Sequence, residues 1–243
     1  MAALTLCAAE LNVVTSGAFT AAWQELAPEY ERLTHDKLKS EFGPSMGTTR
    51  NAIPMRLSRG EDVDVVIMAA PALADLIAQG KVRPGSRVDL VESAIGMAVQ
   101  AGKPHPDISS VKALTRTLLS AQSIAYSDSA SGVYLSTELF PKLGISGRIA
   151  SKSKMIAAEP VGQFVARGEF EIGFQQISEL RPVQGIDIVG PLPPGAQRIT
   201  VFAAGIPATC TQPEAAKALI RWLASPAAWP VIRKSGLEPA GSR

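Results

Sequence analysis

The stretch "VDVVIMAAPALADLIAQG", Val63 to Gly80, decides the fold class. From Val63 to Ala70 it is almost unbroken in apolar residues, as a strand buried on both faces of a parallel sheet is. "ALADLIAQG" then reads as a helix closed by Gly80, a residue free to take the left-handed turn that ends helices. The chain before it supplies the preceding elements. "LNVVTS" (Leu11 to Ser16) is a short β-rich run, and Phe19, Trp23, Leu26, Tyr30 and Leu33 follow at intervals of four and three, one apolar face of a helix. "KLKSEFG" reads as a strand and "PSMGTTRN" as a turn. Ile53 and Leu57 mark a short helix in which Pro54 is tolerable only in the first turn. The series is βαβα, which predicts a parallel sheet with flanking helices.

From Ser93 the pattern restarts. "AIGMAVQAG" reads as a strand, Val111 to Leu119 as a helix and "SIAYS" as a strand, after which Tyr134, Leu135, Leu139 and Leu143 mark a helix. "SKSKMIAAEPVGQFVARGE" gives a strand, a loop and a helix, and "EIGFQQISEL" another strand. "ITVFAAGI" (Ile199 to Ile206) is strand-like, and Pro213 to Ala224 is a helix with Ala216, Leu219, Ile220 and Leu223 inward. The connectors "RPGSRVDLVE" and "VGPLPPGAQ" read as boundaries. The expected division is therefore residues 10–90 with 197–243 in one lobe and 91–196 in the other. Ligands of open parallel sheets bind beyond the carboxyl ends of the strands, so the polar turns should converge on a cleft between the lobes.

Composition limits the function. At 243 residues, 46% apolar and 19% charged, the chain can bury a real core. A net charge of +2 without a basic run argues against nucleic acid as a partner, and no stretch is apolar enough for long enough to span a bilayer. "MAALTLCAAE" reads as the tail of a secretory leader, residues 1–9, with small residues at a cleavage site before Glu10. With Cys7 removed, Cys210 alone excludes an internal disulfide or a cysteine metal site. His35 and His105 lie far apart in polar, loop-like contexts. No metal and no cofactor is expected.

"IAYSDSASGVYLSTELFPKLG", Ile124 to Gly144, carries more hydrogen-bonding groups than a strand-to-helix turn needs. Ser127, Ser129, Ser131 and Gly132 surround Asp128. Hydroxyls and backbone N–H groups at a helix N-terminus make an anion site, whereas a plain turn needs one capping side chain. Both readings fit this segment.

Taken together, "LNVVTSGAFTAAWQELAPEYE", "RLSRGEDVDVVIMAA", "SASGVYLSTELFPKLGI" and "ARGEFEIGFQQ" resemble, in order and spacing, the periplasmic solute-binding proteins of the molybdate-binding type. The resemblance covers nearly the whole chain beyond the leader. It implies the two-lobed α/β, type II periplasmic-binding-protein fold, with mostly parallel sheets and a cleft that closes on a small anion. It also implies a ligand shell of Ser16, Gly17, Thr48, Thr49, Arg50, Ser129, Ser131, Gly132 and Gln176. Three departures bear on the ligand. The family's first-loop serine falls at Ala18, its late-strand tyrosine is replaced by Gln176, and Arg50 stands where the molybdate binders are uncharged. A guanidinium matches a carboxylate through two parallel hydrogen bonds, which favours a di- or tricarboxylate.

These departures point to the branch that resembles bacterial aconitate isomerase, in which a double bond moves by an allylic proton shift. The base for such a shift is Glu159 or Asp128, with Tyr126 a further candidate; Lys154 either neutralises substrate charge or is simply exposed. The alternative function is the binding subunit of an ABC importer, with its permease as partner. A third, a cytosolic ligand-sensing module, would need an uncleaved N-terminus. A monomer is expected.

Overall fold

The computed structural model describes residues 8–157 and 159–241, so most of the expected leader lies outside the described residues. The strands are β1 (Glu10–Thr15), β2 (Lys37–Phe42), β3 (Val65–Ala69), β4 (Val88–Ser93), β5 (Ile95–Gln100), β6 (Ile124–Ser127), β7 (Ser153–Ile156), β8 (Ile172–Gln176), β9 (Ile186–Pro191), β10 (Thr200–Gly205) and β11 (Glu238–Pro239). Six form one sheet in the order β11-β4-β10-β3-β1-β2, and five form a second in the order β7-β6-β8-β5-β9.

The helices are α1 (Gly17–Thr34), α2 (Ile53–Ser58), α3 (Ala70–Ala78), α4 (Val111–Ser120), α5 (Ala130–Tyr134), α6 (Phe140–Lys142), α7 (Ser146–Ile149), α8 (Val161–Ala166), α9 (Ile177–Leu180), α10 (Pro213–Leu223) and α11 (Trp229–Lys234). The fold is two-lobed α/β. Each lobe has its own core: Phe19, Trp23, Leu26 and Phe202 pack on the first sheet, and Ile95, Leu114, Leu139 and Phe174 on the second.

The run Val63–Ala70 holds β3, all of whose residues are fully buried, and it passes directly into α3. Both sheets are parallel on one side, β2-β1-β3 and β7-β6-β8. They become antiparallel where β10 and β5 enter, since these run against both of their neighbours.

The chain passes from the first sheet to the second through Ala94 alone, between β4 and β5, and returns between β9 and β10. The two proline- and glycine-rich connectors therefore carry strand as well as loop. "RPGSRVDLVE" ends within β4, and "VGPLPPGAQ" begins within β9. Pairing to β10 and β5 explains this, because ladder bonds override low local strand propensity.

Three further elements differ from the pattern. Leu33, placed on the apolar face of α1, is 51% exposed; that face ends at Tyr30, whose ring packs on Trp222. The helix expected through Tyr134 to Leu143 is α5, a π-helical turn (Leu135–Leu139) and α6 in succession. The wider turn, with Phe140 N–H bonding Leu135 O, stands immediately before Pro141, which has no N–H to give a helix. "EIGFQQISEL" is a strand only to Gln176, and Ile177–Leu180 is one helical turn, α9.

Candidate functional site

Each sheet sends a set of strand ends toward the other, and between them lies a cavity of about 300 Å³, at the small end of ligand pockets. Gly17, Thr20, Ala21 and Gln24 of α1 form one wall together with Phe42–Pro44 and Asn51. Ser127–Ser129, Glu159, Pro160, Gln175, Ser178, Glu179 and Pro182 form the other. α1 can present this polar face because Phe19, Trp23 and Leu26 hold its opposite side in the core.

The serine turn divides its tasks. Ser127 and Ser131 are 3% and 1% exposed, and their hydroxyls bond each other at 3.0 Å. Ser129 is the N-cap of α5, yet its side chain makes no capping bond and lies on the cavity wall. Gly132 faces inward: a Cβ there would stand 1.7 Å from Ser127 O, so its small size lets α5 lie against the end of β6. Ser16, the N-cap of α1, also lacks a side-chain cap bond, and its buried Oγ has no hydrogen-bond partner.

Gln175 and Gln176 point to opposite sides of β8, as strand neighbours must. Gln175 lines the cavity, and its Oε1 accepts the Val161 N–H at 2.9 Å, fixing the start of α8. Gln176 turns away to donate to Thr200 Oγ1 at 3.3 Å, near where the chain returns to the first sheet.

Of the residues expected at the site, Gly17, Asp128, Ser129 and Glu159 line the cavity. Ser16, Ser131, Gly132 and Gln176 are buried beside its wall residues. In the loop before Asn51, Gly43 and Pro44 line the cavity, whereas Thr48, Thr49 and Arg50 are not among its wall residues. Thr48 and Arg50 are exposed, Thr49 is half-buried, and Arg59 Nη2 donates to Arg50 O at 2.6 Å. Tyr126 packs edge-on against Phe140, and Lys154 is exposed on β7.

The residue that sequence reasoning missed is Glu179. Its carboxyl reaches across from the second lobe to Gly17, the first residue of α1. A Cβ added at position 17 would lie 2.2 Å from Oε1 and 3.0 Å from Cδ. Burial pushes its pKa up to about 7; the Asp128 carboxylate adds to the rise, and a hydrogen bond with Gln175 opposes it. Among the described residues no lysine or arginine lines the cavity. Among the described residues no group of three or more His, Cys, Asp or Glu is placed to hold a metal ion. The cavity therefore offers hydroxyl and amide groups, together with the three carboxyls of Asp128, Glu159 and Glu179.

The raised pKa makes stability depend on pH. Unfolded, Glu179 titrates near its ordinary 4.5; folded, it keeps its proton to about 7. The native state then binds more protons than the unfolded chain between these values, so this group's contribution to stability falls as pH rises through that window and is level above it. Glu179→Gln should be more stable than the unmodified protein at pH 8 by about 1–3 kcal/mol, allowing for partial solvent screening. The gap should close by pH 4. Urea melts at the two pH values check this; equal stability at pH 8 would contradict it.

The bacterial extracellular solute-binding protein family matches residues 11–238. The chain belongs to this family. The aconitate isomerase of a Pseudomonas species is 51% identical over 229 residues, covering 94% of this chain and 87% of that protein. The molybdate-binding protein ModA of Azotobacter vinelandii is 27% identical over 241 residues, covering 94% and 90%. The structure of the periplasmic molybdate-binding protein of Azotobacter vinelandii superposes with a TM-score of 0.73 at 21% identity, covering 93% of this chain and 98% of that one. The sulfate-binding protein SubI of Mycobacterium tuberculosis gives 0.74 at 16%, covering 96% and 88%. These two structural likenesses concern the fold, which is the two-lobed fold of the periplasmic binding proteins.

Proposed function

We propose that the protein is an aconitate isomerase, interconverting trans- and cis-aconitate by an allylic proton shift in the cavity between the lobes. The observation that carries this reading is the 51% identity, across 94% of the chain, to a protein of that name. The cavity supports it, since hydroxyls and amides that can hold carboxylates stand beside carboxyls that can move a proton. On this reading residues 10–90 and 197–243 close against 91–196 around the acid.

The chemistry asks for two things. A base must take a proton from the substrate's methylene carbon, and donors must stabilise the negative charge that spreads into the conjugated carboxylate. Ser129, Ser178 and Gln175 are the donors on the wall, and Asp128, Glu159 and Glu179 are the acids within reach of it. As the proton returns at the other end of the allylic system, the double bond moves and its geometry is reset. No oxidant or added group is needed.

The second reading is a periplasmic binding protein that delivers a carboxylate or oxyanion to an ABC importer permease, favoured by the 27% identity to a molybdate-binding protein. The periplasm is the compartment under either reading. The test is direct. Purified protein incubated with trans-aconitate should yield cis-aconitate by chromatography. Tight binding without conversion would leave the importer reading in its place.

A further inference from the structure

We propose that Glu179 is the residue that carries the migrating proton, taking it from one allylic carbon of the substrate and returning it to the other. This assignment rests on the isomerase reading. It is made on position, since among the acids that line the cavity Glu179 is tied to its own lobe and also rests against the first residue of α1 on the other. Glu159 is exposed, in the loop that leads into α8. Asp128 follows β6, with its N–H bonded to Ile156 O at 3.1 Å, and its charge bears on Glu179. Glu179 stands on α9, just past the end of β8, bonded to Gln175 on its own lobe and resting against Gly17 on the other.

An independent observation marks the same spot as a ligand contact. Ser178, beside Glu179, is a cavity residue only 1% exposed, and its buried hydroxyl has no hydrogen-bond partner. Turned toward the cavity, it would donate to a substrate carboxylate. That contact would place the carbon next to that carboxylate close to Glu179.

The step balances without any further reactant. The ionised Glu179 oxygen bonds the methylene proton as the C–H bond breaks, and the electron pair enters the allyl system and its carboxylates. The same proton-bearing carboxyl then gives a proton to the far carbon, and the double bond ends one position along. A carboxyl titrating near neutrality suits both halves, because it is a stronger base than an ordinary carboxylate and still ionised in a useful fraction at pH 7.

The experiment compares the unmodified protein with Glu179→Gln, Glu179→Asp and Glu159→Gln, following trans-aconitate binding by calorimetry and turnover across pH. In the unmodified protein kcat/KM should rise with pH through about 7, as Glu179 ionises. Glu179→Gln should fold, with the gain in stability at pH 8 given above, and bind trans-aconitate as well as or better than the unmodified protein, while kcat falls by about 10²–10⁴-fold. Glu179→Asp should restore part of the turnover with a rising limb, and Glu159→Gln should keep the limb. Full turnover in Glu179→Gln, or loss of binding in place of turnover, overturns the assignment and leaves the isomerase reading intact. An unmodified protein that binds without converting overturns both.

Discussion

Trp23→Ala should destabilise the protein by about 3–5 kcal/mol, the usual cost of deleting a large aromatic from a packed core. Trp23 is 1% exposed, packed with Phe19 and Leu26 between α1 and the first sheet. Its indole N–H also donates to Ser40 Oγ at 2.8 Å. Ser40 is exposed and can turn to water, so most of the loss should come from the cavity left behind rather than from the hydrogen bond. Trp23→Phe separates the two, and should cost closer to about 1 kcal/mol for the bond plus a smaller packing term. The damage should extend beyond stability. The buried face of α1 is what holds Gly17, Thr20 and Gln24 at the cavity, so Trp23→Ala should also weaken trans-aconitate binding. Urea denaturation and calorimetry check both, and a loss below 1 kcal/mol would show that the core re-closes around the gap.

Gly132→Ala should be nearly as costly, for the opposite reason. The new methyl would stand 1.7 Å from Ser127 O, 2.6 Å from its carbonyl carbon and 2.9 Å from its nitrogen. All three are backbone atoms at the end of β6, so no side chain can swing aside. α5 must lift off the strand, with a cost of about 3 kcal/mol or more, at the upper end for overpacking. Gly147→Ala is the control: a Cβ there meets nothing within 4 Å, so it should be neutral or slightly stabilising. Thermal melts of the pair give the comparison. Equal melting temperatures would mean that α5 moves freely, and would remove the packing role of Gly132.

The elements that rest on periodicity were legible in the sequence. α1, β3, α3, α4 and α10 are long or apolar enough for burial to leave its period in the residues. The mixed character of the sheets was not, because β10 and β5 look alike whichever way their neighbours run. Glu179 was hidden by a related effect. Ile177–Leu180 is a single turn, too short to show a helical period, and "GFQQIS" before and within it reads as strand. One signal was available, since Gln176 is the N-cap and Glu179 holds the third helical position, where acids favour helix starts. The choice between Gln175 and Gln176 depended on strand phase, and a shift of one residue exchanges the two faces. The serine turn invited two readings because the residues that cap a helix are also those that cradle an anion. What separates them is where each hydroxyl goes, and Ser127 and Ser131 spend theirs on one another.

The strand order also sets a timetable for synthesis. β10 lies between β3 and β4 in the middle of the first sheet, yet it is encoded after every strand of the second. A ribosome that has released Pro191 has supplied the whole second sheet, while the first still lacks its central strand. Until Thr200–Gly205 emerges, β3 and β4 have facing edges with nothing between them, and such edges pair readily with other chains. The N-terminal strands, made first, are thus among the last to be completed. The nascent chain must keep them from foreign partners for most of its length.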